Sequence, residues 1–333
     1  MAHINPPAIN PQQDGRPQIR QPSSEERRAA LAVLMTGRPT PKDPAVDHFL
    51  EFTRQQGMTM DGLWALFRQQ TPVSAILIIP TAGRAAVTFL SPITSRKRIP
   101  DATTLIRAAI GHQDAQKVSL VQSLLDPTQR LEREALAEAG FIQLASLVYM
   151  RGSCPPSSVS GALSSYQKDG PDAPIQIDGR PLTEFHWHED RFQAFADVIS
   201  ASYEQTQDCP GLVGLRKIED IIDGHRAVGR FDPRFWTAYF LEDEPVGVLL
   251  LNPLADQPEL ELVYLGLAPK FRNKGLATEL MRRAASMASS HSYAGIHLAV
   301  DEQNTPAVKL YRALDYRATA RKVAMICTLS QPA

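Results

Sequence analysis

Cysteine is scarce in this chain, three in 333 residues, and neither sign of charge is in surplus: 35 Lys and Arg stand against 36 Asp and Glu, a formal net charge of -1. Cys154, Cys209 and Cys327 are far apart and form no C-x-x-C pair, so neither a disulfide framework nor a zinc-ligand spacing is indicated. A reducing, cytoplasmic setting is expected. A near-neutral chain offers no global field to draw nucleic acid or an anionic membrane, and neither is expected as a partner. No apolar run approaches the roughly 20 residues that a membrane helix needs. The opening MAHINPPAINPQQDGRPQIRQP lacks the charged-then-apolar order of a secretory signal. Also missing are G-x-x-x-x-G-K-S/T and G-x-G-x-x-G, which sets aside two common phosphate-binding loops. Function must come from a local site of another kind.

What is present is an ordinary globular composition, 43% hydrophobic and 21% charged, long enough to bury two cores. Residues 1–21 read as a disordered leader. After them, Ser23 and Glu26 offer a capping box for a helix that stops at Gly37, and PAVDHFLEFTRQQG reads as a second helix. GLWALFRQQ, VSAILIIPT and RAAVTFLSP read as strands, then helix, strand, helix ending at Gly140, and the strand FIQLASLVYM. Residues 152–175 are dense in Ser, Pro and Gly and read as a linker. From 176 to 333 the same outline returns, with FWTAYFLE, PVGVLLLNP and ELELVYLGLAP as strands ahead of the helix GLATELMRRAASMASS. Two copies of one order without obvious identity imply duplication and divergence, giving domains over 22–151 and 176–333 and a mixed α/β (α+β mixed sheet) class.

The turn between ELELVYLGLAP and that helix is FRNKGLATEL. A helix leaves its first amides without intrahelical partners and carries partial positive charge there. Delivered through R-x-x-G-x-A, here Arg272, Gly275 and Ala277, such a terminus lets a phosphate approach the backbone, and Arg272 and Lys274 add charge.

With GIHLAVDEQNTPAVKLYRALDY following it, the stretch from Glu259 to Tyr316 resembles the GNAT superfamily of acyl-CoA-dependent N-acyltransferases. The resemblance implies that Arg272, Asn273, Lys274, Gly275, Leu276 and Ala277 cradle the pyrophosphate of acetyl-CoA. It implies backbone contacts from Leu265 and Leu267 to the cofactor arm, a further contact from Asn304, and Tyr311 facing the leaving sulfur. Glu261, 14 residues before Gly275, stands where many members carry the general base, with Glu259 as its competitor on the same face. Where the family commonly has Gly-Phe, this chain has Asp315-Tyr316. The acceptor pocket is expected from residues 202–216, with Asp208, Tyr203 and Tyr264 as candidates. The acceptor itself, a small-molecule amine or a protein amine, is left open, as is the oligomeric state.

Cys209 has no His or Asn in nucleophile order beside it, and His186, His188, His225 and His297 have no grouped co-ligands, so no metal is expected. In the first half, ITSRKRIPDATTLIRAAI offers no glycine and has Pro100 where an amide is needed. That half reads as a degenerate GNAT-like domain, kept for packing or for shaping the acceptor pocket. The tandem layout is similar to that of the mycothiol synthase family.

Overall fold

The computed structural model describes residues 17–40, 42–55, 59–154 and 174–329. Part of the expected leader is ordered: β1 (Gln18–Arg20) pairs antiparallel with β2 (Leu63–Arg68), Gln18 lying opposite Phe67. Arg20 anchors it, donating to both oxygens of Glu26 and stacking 3.9 Å over the Phe67 ring. Ring stacking and a two-pronged ion pair supply what composition alone does not reveal. Residues 1–16 lie outside the described ones, as do 155–173 of the expected linker.

The expected order is present twice. α1 (Arg27–Thr36), α2 (Pro44–Gln55), β2, β3 (Thr71–Thr81), β4 (Ala85–Leu90), α3 (Ile99–Gly111), β5 (Leu120–Leu125), α4 (Arg130–Glu138) and β6 (Ile142–Ser153) make the first copy. The capping box at its start is reciprocal: Ser23 N–H donates to Glu26 Oε2 and Glu26 N–H to Ser23 Oγ, at 2.9 and 3.3 Å. Gly37 ends α1 in the left-handed conformation, φ 73°. A small hairpin of β7 (Gln176–Ile177) and β8 (Arg180–Pro181) intervenes. The second copy is β9 (Thr183–His186), α5 (Phe192–Tyr203), α6 (Ile218–Arg226), β10 (Trp236–Leu241), β11 (Glu244–Pro253), β12 (Leu260–Leu267), α7 (Leu276–Ser290), β13 (Gly295–Asp301), α8 (Thr305–Ala313) and β14 (Arg317–Thr328). In each copy the third strand of a meander pairs in parallel with the strand after the next helix, β4 with β5 and β12 with β13.

One compact unit takes residues up to 79 with 88–113 and 130–139; the other takes 80–87, 114–129 and 140 onward. In the first, Leu31 and Val33 of α1 pack on Leu63, Phe67 and Leu77 of β2 and β3. In the second, β5, β14, β6, β13, β12, β11, β10 and β9 run in that order across the sheet. The final strands are therefore exchanged between the copies. β14 sits between β5 and β6, and β6, the last strand of the first copy, pairs antiparallel with β13 of the second.

Both faces of this sheet are covered. Leu249 and Leu251 of β11 pack with Leu280, Met281 and Ala284 of α7, while Val248 and Leu250 pack with Phe195, Val198 and Ile222 of α5 and α6. That is why PVGVLLLNP is continuously apolar rather than alternating.

Candidate active site

A gap in the second unit's sheet makes the site. Along β12 the pairing with β11 holds to Leu267, with a bulge that places Val263 between Leu262, opposite Leu251, and Tyr264, opposite Leu250. With β13 the parallel ladder has only two steps, Leu260 to Ile296 and Glu261 to His297. Beyond them the strands part. The cleft so opened has a volume of about 350 Å³ and is lined by residues 262–267 of β12, Ala299 and Val300 of β13, the turn into α7, and Asn304, Ala307 and Tyr311 of α8 and its cap. This is the size and place of a small-ligand site.

The turn into α7 has the form the motif demands. Asn273 and Gly275 both take positive φ, 60° and 81°, so the chain doubles back before Leu276 starts the helix. A side chain placed at Gly275 would meet no protein atom within 4 Å. The glycine thus serves a left-handed turn and faces open space in front of the first amides of a 15-residue helix. The arrangement fits a pyrophosphate.

Two of its charged residues do other work. Arg272 does not present a free guanidinium: it donates to the carbonyls of Leu267, Gln205, Ser202 and Glu204, at 2.9, 2.9, 2.9 and 2.7 Å. It ties the end of α5 to the end of β12, satisfying carbonyls that α5 leaves without partners. Lys274 Nζ pairs with Asp178 at 2.8 Å. What this turn offers an anion is its backbone amides more than these two charges. Arg272→Gln is therefore expected to lower stability by roughly 2–4 kcal/mol, the scale of losing several charge-assisted bonds. Urea unfolding checks it, and a change under 1 kcal/mol would count against the tie.

The carboxylates separate by environment. Glu259 is bound on two sides: Arg151 Nε donates to Oε1 at 3.0 Å, and the Nε2–H of His297 donates to Oε2. The Arg151 guanidinium first, then the His297 bond, hold its carboxyl below the ordinary range. Glu261 has no such tie. Half-buried on the same face, its carboxyl is pushed up by burial, with His297 opposing. Of the two, Glu261 has the character of a base. It stands at the last paired position, immediately before the residues that line the cleft.

Asp208 does line the cleft. It accepts the Asp301 N–H at 3.0 Å, and burial raises its carboxyl. Asn304 caps α8, accepting from Ala307 N–H at 3.3 Å, and its side chain also bonds Asp208. Tyr311 is 6% exposed and lines the cleft, its phenol raised by burial and then by Asp208, so it stays protonated. Leu265 and Leu267 line it too. Tyr264 borders it but directs its hydroxyl to Ser202 at 2.8 Å and stacks on His225. Tyr203 packs against the Tyr264 ring, 5.5 Å between centroids, and is not part of the lining. The cysteines are poor nucleophiles: burial, then Asp208 and Asp301, push the Cys209 thiol to about 12, and burial takes Cys154 to about 11. No group of residues suited to a metal occurs among the described residues.

Sequence reasoning missed Arg151. The period-two spacing of Glu259 and Glu261 put both on one face, but nothing in β6 signals that it lies beside β13. The first copy shows the contrast. There the buried Glu132 of α4 accepts the N–H of Ile93 at 2.7 Å, and the cavity bordered by Ile93 and Arg98 measures about 10 Å³. That is room for one water at most.

Residues 185–316 match the Acetyltransferase (GNAT) family. N-acetylaspartate synthetase of Rattus norvegicus is 31% identical over 83 residues, 25% of this chain and 27% of that protein; the Homo sapiens protein is 30% identical over the same length. The chain thus aligns with about a quarter of the length of these curated relatives. A GCN5-related N-acetyltransferase from Sphaerobacter thermophilus superposes with a TM-score of 0.56 at 14% identity, covering 94% of this chain and 95% of the other. The GCN5-related glucosamine N-acetyltransferase region of a fungal multi-domain beta-N-acetylglucosaminidase gives 0.52 at 12% identity, over 96% of this chain and 39% of that one. The two structures share the fold. Residues 185–316 thus match the GNAT family model, and the chain shares the fold of these two acetyltransferases.

Proposed function

We propose that the chain transfers an acetyl group from acetyl-CoA to a primary amine, by direct attack of the amine in a ternary complex. The observation that carries this is the pairing of a half-buried, unbridged Glu261 at the mouth of the splay with Tyr311 inside it. Bound acetyl-CoA supplies an activated acyl carbon and a sulfur leaving group. The amides opening α7 hold its pyrophosphate, and the free edge of β12 near Leu265 and Leu267 takes its arm. Glu261 accepts the proton that the amine must lose, which asks for a carboxylate poised above its ordinary range. Tyr311 keeps a proton for the sulfur. Asp208 favours a cationic acceptor over an acidic one.

The raised thiols of Cys209 and Cys154, neither of which lines the cleft, support direct attack over a covalent acyl-enzyme. Initial rates with acetyl-CoA and a panel of amines test the reading, followed as free thiol. Intersecting lines in double-reciprocal plots support it; parallel lines overturn direct attack, and no turnover with any amine overturns the enzyme in favour of an acyl-CoA-binding regulator. Tyr311→Phe keeps the buried ring and removes the hydroxyl. It is expected to lower kcat about 10- to 100-fold, with acetyl-CoA affinity unchanged; an unaltered kcat would remove the acid role.

A further inference from the structure

Glu261 does not stand alone on its face of the sheet. Straight across three strands lie Glu261 of β12, His297 of β13 and Arg151 of β6, paired in register. Two residues before Glu261, on the same side, is Glu259, which receives both the Arg151 guanidinium and the His297 Nε2–H. Holding that proton on Nε2 leaves the lone pair of the neutral ring on Nδ1. Side-chain exposure rises outward, from 10% at Glu259 to 27% at His297 and 34% at Arg151. Two further titratable groups interact with this cluster: Tyr149 of β6, whose phenol is raised by burial and then by the Glu261 charge, and Cys154, whose thiol is raised by burial, with Arg151 opposing and Glu259 adding to the rise.

We propose that His297 is a positioning and proton-relay residue for Glu261, fixed by Glu259 and by Arg151, so that the first copy of the repeat supplies part of the working face of the second. It rests on the reading of Glu261 as the base. After Glu261 has taken the amine proton, that proton passes from its carboxyl to the imidazole, restoring the carboxylate and giving an imidazolium. Glu259, kept ionised by Arg151, stabilises the imidazolium, which releases the proton to water at its exposed edge. No other reactant is required. The exchange of final strands acquires a chemical consequence here: only because β6 adjoins β13 does Arg151 reach Glu259.

Two measurements on the full chain test the relay. The first follows the imidazole of His297 by NMR through a pH titration, in the parent and in Glu261→Gln. Loss of a neighbouring carboxylate should lower the His297 midpoint, since coupling between two sites is reciprocal; an unmoved midpoint overturns the relay whatever the activity. The second uses His297→Gln, which retains a hydrogen-bond donor for Glu259. Its kcat should fall about tenfold, its acetyl-CoA affinity should hold, and the acidic limb of kcat/KM should move to higher pH, because His297, which opposes the effect of burial on Glu261, is gone. A merely structural His297 would lower Tm and leave that limb in place, which also overturns the proposal. A parent chain that turns over no amine refutes the acyltransferase reading itself, whereas normal parent turnover with an unmoved limb in His297→Gln refutes the relay alone.

Discussion

Glu261→Gln is expected to lower turnover by roughly 10²- to 10⁴-fold while acetyl-CoA still binds as it does to the parent. The carboxylate sits on the face of β12 that carries Tyr264 and Gly266 against α5, away from the turn proposed to cradle phosphate, so the two functions separate in space. The same substitution carries a second, opposite signature. Burial raises the Glu261 carboxyl in the folded chain, so the unfolded chain loses its proton first as pH rises. Stability is unaffected by this group below the ordinary glutamate range and is diminished above its raised folded value. Removing the charge should therefore raise Tm by about 1–2 °C at neutral pH and do nothing in acid. An inactive variant that is more stable at pH 7 identifies a carboxylate placed for chemistry rather than for packing. Full activity in Glu261→Gln would transfer the base role elsewhere, and Asp208 would be the next carboxylate to test.

The second large effect is expected at Gly275. Tryptophan there should lower acetyl-CoA affinity by at least about 100-fold, because a large side chain would occupy the space before the α7 amides; steric exclusion of this kind readily exceeds about 2.8 kcal/mol, the equivalent of that ratio. Positive φ, 81°, makes any side chain strained, at a cost of about 1–2 kcal/mol. Gly275→Ala separates the two contributions. Its Cβ meets no protein atom within 4 Å, so it should lose stability by the strain alone and keep most of its affinity. Calorimetry beside thermal melts reads both. Equal affinity in Gly275→Trp and the parent would place the pyrophosphate elsewhere.

How much of this was legible beforehand follows the range of the interactions. Local signals were reliable: the capping box at Ser23 and Glu26, the stop at Gly37, and the strand–turn–helix around Arg272, Gly275 and Ala277 are set by neighbours within a few residues, and each formed as the sequence implies. The absence of glycine after RAAVTFLSP is a local signal, whereas the bond from the Ile93 N–H to the buried Glu132 of α4 is one that only the folded chain makes. What stayed hidden depends on strands distant in sequence. An arginine in R-x-x-G-x-A looks like a phosphate ligand, yet Arg272 lies beside the end of α5 and satisfies carbonyls that only the folded chain brings to it. Likewise, Glu259 and Glu261 are chemically equivalent in the sequence. They are distinguished by Arg151, more than 100 residues away, and by an exchange of final strands that no periodicity encodes. Of the two tyrosines expected in the pocket, Tyr264 borders the cleft with its hydroxyl held by Ser202, whereas Tyr203 packs on the Tyr264 ring outside the lining.

Titration of the purified chain with acetyl-CoA by calorimetry tests the central claim most directly: that the second copy alone retains a cofactor cleft. One site per chain, abolished in Gly275→Trp and retained in Glu261→Gln, is the predicted result. Two sites would contradict the reading of the first copy as degenerate, and no binding would contradict the acyltransferase reading itself.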